Sequence, residues 1–182
     1  MDTQAQDRPI AGILWMLATG LSFVAVTGTV RHLGTALPSV EAAFLRFVIG
    51  LIFLAPALIA VLRAGLPEGT PRLILGRGVL HVIAVTLWFY AMARLPVAEV
   101  TAIGYLNPIV VTVGAAVFLG EKLAFRRIAA IVVALFGALV ILRPGVREIS
   151  DGQLAQLGAA TCFGLSYLIA KRLSSVMSAG AL

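Results

Sequence analysis

Within long apolar runs, the sequence carries a few side chains able to hold a solute: Ser22, Arg46, Trp88 and the stretch from Thr101 to Thr112 around Asn107-Pro108. On a helix, Thr101, Tyr105, Pro108 and Thr112 share one face, with Asn107 at its flank. Pro108 has no N–H to offer the carbonyl of Gly104, so that carbonyl needs another partner. Two hydroxyls, a phenol and a freed carbonyl suit a polar cavity; the alternative is a kink that only shapes helix packing. Trp88 shares a face with His81, Val85 and Met92. It is placed either to stack on a planar or cationic solute or to fill a bundle core. His81 reads as an interfacial histidine near the start of its run. Arg46 is an ionisable group inside an apolar run, which makes it a functional candidate by default. Ser22 belongs to a small-residue stripe with Ala18 and Val26, suited first to close helix packing and second to solute contact.

The chemistry this set supports is binding, not bond breaking. There is no GxSxG, no HExxH and no acidic pair within an apolar run, so an intramembrane hydrolase has little to work with. No catalytic residue, metal ligand set or cofactor is expected. Cys162 is the single cysteine, which excludes an intramolecular disulfide and a cysteine-rich metal site. None of the apolar runs has a carboxylate near its middle, so nothing supports proton coupling through a buried acid.

These side chains need elements to position them, and composition says which. Of the 182 residues 60% are apolar and 12% charged, against about 25% charged in soluble domains. Such a chain cannot cover itself with polar surface in water, so lipid must cover it. The fold class is all-α integral membrane. Six stretches approach the roughly 17–25 apolar residues a bilayer requires: 10–30, 40–62, 73–93, 97–119, 123–142 and 154–170. The third is the weakest, because Arg77 and His81 fall near its start, and it is expected to begin close to Val79. The net charge of +6 sits in short clusters between runs, which argues against a nucleic-acid partner. One side collects Arg8, Arg63, Arg72, Arg77, Lys122, Arg126, Arg127, Lys171 and Arg172, and the other Arg31, Arg94, Arg143 and Arg147. That asymmetry places the N-terminus in the cytoplasm.

A shift of 140 residues lays LWMLATGLSFVAVTGTVRHL over LAQLGAATCFGLSYLIAKRL. Leu14 meets Leu154, Phe23 meets Phe163, Ser22 meets Cys162 and Arg31 meets Lys171. The copies are offset by five spans, an odd number, so the second enters the membrane from the opposite side. That is the mark of an inverted-topology repeat, a transporter architecture.

The segment NPIVVTVGAAVFLGEKLAFRRIAAIVVALFGALVILRPG, residues 107–145, resembles the EamA domain of the drug/metabolite transporter superfamily. The resemblance lies in the proline of the fourth span, the Gly-Glu that closes it and the fifth span. It covers residues 10–143 as a first five-helix repeat, with an incomplete second repeat over 152–182. It implies a ten-helix carrier built from two inverted repeats. The function expected is therefore secondary transport of a small polar or amphipathic metabolite, or a drug, by alternating access. The location expected is the inner membrane, multi-pass. The partners expected are lipid and a small-molecule solute, with self-association or a missing second half to complete the cavity. A fragment of a longer protein and a truncated natural product both fit the ending SSVMSAGAL. A non-transporting scaffold is the alternative from a different class.

Overall fold

The computed structural model describes residues 9–33, 36–67, 69–121, 124–142 and 148–177. Every regular element among them is α-helical: α1 Pro9–Leu33, α2 Ser39–Ala64, α3 Thr70–Arg94, α4 Val97–Gly104, α5 Asn107–Leu119, α6 Phe125–Leu142 and α7 Asp151–Leu173. Five spans are long and apolar enough to cross a membrane: Gly12–His32, Ser39–Arg63, Thr70–Arg94, Val97–Leu119 and Asp151–Leu173. Helix α6 adds an apolar run of 18 residues. Since α4 and α5 are two parts of one span, the described residues form six helical spans. Helices serve here because lipid offers no hydrogen bonds, so each segment must satisfy its own backbone. Of the basic residues that set the charge asymmetry, Arg8, Lys122, Arg143 and Arg147 lie outside the described residues.

Two helices start earlier than hydropathy alone suggests. Helix α3 begins at Thr70, well before Val79. Pro71 falls in its first turn, where a missing N–H costs nothing, and the Thr70 hydroxyl donates to the Pro67 carbonyl at 2.6 Å. Arg72 and Arg77 are thus helical residues near one end, where long side chains can reach polar surroundings. Helix α7 begins at Asp151 through a capping box. Gln153 N donates to Ser150 Oγ at 3.3 Å, and Ser150 N donates to Gln153 Oε1 at 3.0 Å.

The Asn107-Pro108 pair divides its span. Helix α4 ends at Gly104, and tighter turns carry the chain across the break, with Leu106 N on Ile103 O and Ile109 N on Leu106 O, both at 3.0 Å. Pro108 then occupies the first turn of α5. The break is covered by α7. A Cβ added at Gly164 would lie 3.2 Å from the Asn107 carbonyl oxygen and 2.6 Å from Val110 Cβ, so only glycine lets the two helices approach this closely. Pro108 itself is exposed, so the break meets α7 through its neighbours Asn107 and Val110.

Helices α3 and α7 share the largest interface, with α2, α4 and α5 packed around them. Their core joins Val85, Trp88, Ala91, Met92, Leu95, Ala155 and Ala159. Glycines tighten the seam: Cβ atoms at Gly152 and Gly158 would sit 3.0 Å from Leu95 Cγ and 3.1 Å from Leu87 Cδ1.

Polar contacts tie together helix ends that share a side of the membrane. At one end, Arg31 Nη1, from the last turn of α1, donates to the carbonyls of Met92 at 2.6 Å and Leu95 at 3.0 Å. These are carbonyls at the C-terminus of α3, where a cation is favoured. Gln153, at the start of α7, donates to Glu99 at the start of α4. At the other end, Glu121 follows α5 and pairs with Lys171 near the end of α7 and with Arg127 of α6, the latter at 3.6 Å. Helices α1 and α7 therefore run in opposite directions. Replacing Arg31 with Gln is expected to cost about 1.5 kcal/mol, the low end for hydrogen bonds from a charged donor. A lower midpoint of thermal aggregation in detergent is the check.

The Lys171 hydrogen bond and the neighbouring Arg127 charge hold the Glu121 carboxyl below its ordinary range. A depressed folded value means that the contribution is complete above the unfolded value of about 4.3 and disappears as pH falls through the lower folded value. The difference in thermal midpoint between the unmodified chain and Glu121→Gln should thus be present at neutral pH and vanish in acid below that range.

Candidate functional site

Between α1, α2, α3 and α7 lies a cavity of about 360 Å³, lined by Thr19, Ser22, Phe23, Val26, Arg46, His81, Trp88, Gln156, Phe163 and Tyr167. Its walls are mainly aromatic. Phe23 stacks against Trp88 with centroids 5.9 Å apart and planes 27° apart, and Phe163 stacks on Tyr167 at 6.1 Å and 17°. His81 stands edge-on between Phe47 at 6.3 Å and Phe163 at 5.4 Å. Trp88 is only 7% exposed and also meets Phe89 at 5.3 Å, so its ring both closes the core and walls the cavity.

The polar capacity of the cavity is narrow and specific. The Thr19 hydroxyl donates to the Trp15 carbonyl at 2.8 Å and that of Ser22 to Ala18 at 2.9 Å, which leaves both oxygens as acceptors. Gln156 is 3% exposed and commits Nε2 to the Val100 carbonyl at 2.9 Å. Its Oε1 is buried and accepts no hydrogen bond among the described residues. Gly104 makes that arrangement possible, because a Cβ there would stand 3.3 Å from Gln156 Nε2. Arg46 forms no salt bridge among the described residues; its guanidinium carbon lies 5.8 Å from the Phe47 ring centroid. Arg46 also borders a second, almost wholly apolar cavity of about 490 Å³ between α1 and α2.

Of the residues singled out from sequence, Ser22, Arg46 and Trp88 meet at the 360 Å³ cavity. Thr101, Gly104, Tyr105, Asn107, Pro108 and Thr112 are not among its lining residues. The hydroxyls of Thr101 and Thr112 donate to the carbonyls of Val97 and Pro108 at 2.8 Å each, and Tyr105 is 69% exposed. Gly104 nevertheless borders the site through Gln156. His81 lines the cavity too, midway along α3, which starts well before it. Gln156 and the aromatic pair Phe163–Tyr167 were not singled out for the site, although an amide in an apolar span is itself a signal.

A chain of apolar spans, four of which enclose an aromatic cavity, matches the EamA-like transporter family over residues 10–143. The chain belongs to that family. Among curated relatives, the Riboflavin transporter of Vibrio cholerae is 30% identical over 174 residues, 93% of this chain and 58% of that protein. The S-adenosylmethionine uptake transporter of Rickettsia bellii is 29% identical over 161 residues, 88% of this chain and 55% of that protein. The Pseudopaline exporter CntI of Pseudomonas aeruginosa is 30% identical over 138 residues, 74% and 47% respectively. The EamA-like chain thus spans about half the length of these relatives. No solved structure matches it.

Proposed function

We propose that this chain forms part of a secondary transporter that moves a small polar or amphipathic metabolite across the inner membrane by alternating access, with its N-terminus in the cytoplasm. The observation that carries this reading is the cavity itself. Aromatic faces, one arginine and a few acceptors converge between four helices, in a family whose curated relatives here are named as importers and exporters of metabolites. Binding sites with this mix of apolar walls and few polar groups take small organic solutes.

Two further features support the architecture. Helices α1 and α7 match at a shift of 140 residues and run in opposite directions, which supports reading α7 as the start of a second, inverted repeat over 152–182. The excess of basic residues at the end that gathers Glu121, Arg127 and Lys171 supports placing that end in the cytoplasm.

The test is solute counterflow. Proteoliposomes holding the protein and preloaded with riboflavin should transiently accumulate external labelled riboflavin above vesicles loaded with buffer. The same comparison with S-adenosylmethionine extends the panel to a second relative's cargo. Accumulation that ignores the internal solute for every compound tried would contradict the carrier reading.

A further inference from the structure

Resting on the carrier reading, we infer that the 360 Å³ cavity is built for a planar heteroaromatic anion that carries a ring N–H or an equivalent donor. The inference follows from what the lining atoms have left to offer. The stacked pairs Phe23–Trp88 and Phe163–Tyr167 supply four of the lining rings, a wall that favours a flat π-system over an aliphatic body. Arg46 is a cationic side chain at this cavity, and among the described residues no aspartate or glutamate lines it. A cationic solute would meet an arginine and no counter-charge. An anionic one would supply the partner that an arginine in an apolar span requires, and a carboxylate accepts two parallel N–H bonds from a guanidinium.

Three acceptors set the third requirement, beside the His81 imidazole, the Trp88 N–H and the Tyr167 hydroxyl that also line the cavity. Thr19 and Ser22 have already spent their hydroxyl protons on their own helix, so their oxygens can only accept. Gln156 Oε1 is a buried acceptor with no donor, while its amide nitrogen is engaged. A buried amide oxygen left unpaired is costly, and a solute N–H is the group that relieves it. A cavity near the low end of the usual range for organic ligands suits a bicyclic ring system with one acidic group.

Kynurenate, a quinolone carboxylate, is the probe with all three features. Four comparison compounds change one or two of them. Quinoline-2-carboxylate lacks the ring N–H, 4-quinolone lacks the charge, 1-methylquinolinium reverses the charge and lacks the N–H, and cyclohexanecarboxylate removes the π-face along with the N–H. Binding is measured by equilibrium dialysis against the chain in lipid nanodiscs, with empty nanodiscs subtracting partition into lipid. Kynurenate is expected to bind most tightly, with Arg46→Gln weakening it about tenfold or more. Gln156→Leu should bring kynurenate down to the level of quinoline-2-carboxylate and leave the latter unchanged, a selectivity that general loosening of α7 would not produce. The inference fails if 1-methylquinolinium or cyclohexanecarboxylate binds as well as kynurenate in the unmodified chain. It also fails if Gln156→Leu weakens both quinoline acids equally. Riboflavin counterflow without kynurenate binding would sink the solute class and leave the carrier standing. Specific kynurenate binding with no counterflow of any solute would do the reverse.

Discussion

Trp88→Ala is expected to be the most damaging single change in the protein, because one ring serves two purposes. It fills the core between α3 and its neighbours, and truncating a buried tryptophan costs about 3 kcal/mol or more through lost packing and the cavity left behind. It also removes the surface against which Phe23 stacks and a solute would lie. Thermal midpoint in detergent should fall sharply, and flux at limiting solute should drop by about tenfold or more. Trp88→Phe separates the two effects. It keeps an aromatic face, so it should retain most of the flux while losing part of the stability. A Trp88→Phe variant as stable as the parent yet unable to transport would point to the indole N–H, which this account leaves idle.

The second large effect belongs to Gly164. Valine there would drive its Cβ into Val110 and against the Asn107 carbonyl, and overpacking of this kind costs about 1–3 kcal/mol. Because α7 also carries Gln156, Phe163 and Tyr167, pushing it away from α5 should weaken solute binding along with the fold. Gly164→Ala should act in the same direction and less strongly. Gly20→Ala is the control, since nothing lies within 4 Å of a Cβ at that position. Equal midpoints for Gly164→Val and Gly20→Ala would show that the α5–α7 approach is not what holds the bundle.

Hydropathy made the spans legible because lipid imposes one simple demand, a run of apolar residues closed by charges or turn formers. It was weaker where a helix continues past the apolar run, as at Thr70 and Asp151. There the local signals were Pro71 in a first turn and the Ser150–Gln153 capping box. The cavity was half legible. Arg46, Trp88 and Ser22 stood out as polar or bulky side chains in apolar runs, and they converge. The face of Thr101, Tyr105 and Thr112 does not join them, for a reason visible in the hydrogen bonds. A threonine on a helix can satisfy its hydroxyl at the preceding turn's carbonyl, so it need not seek a polar cavity. Gln156 escaped notice because what distinguishes it is pairing, with one end bonded to Val100 and the other without a partner among the described residues. Pairing between spans is not written in either span alone.

The proposed transport by alternating access requires the cavity to open to each side of the membrane in turn. Cys162 is the single cysteine, so a Cys162→Ala background leaves Ser22→Cys as one reporter on the cavity wall. The measurement is labelling of that cysteine by a membrane-impermeant thiol reagent, in right-side-out and inside-out vesicles, with and without solute. Alternating access predicts modification from both sides, with a bound solute slowing it. Modification from one side only, at a rate that solute does not change, would contradict the account.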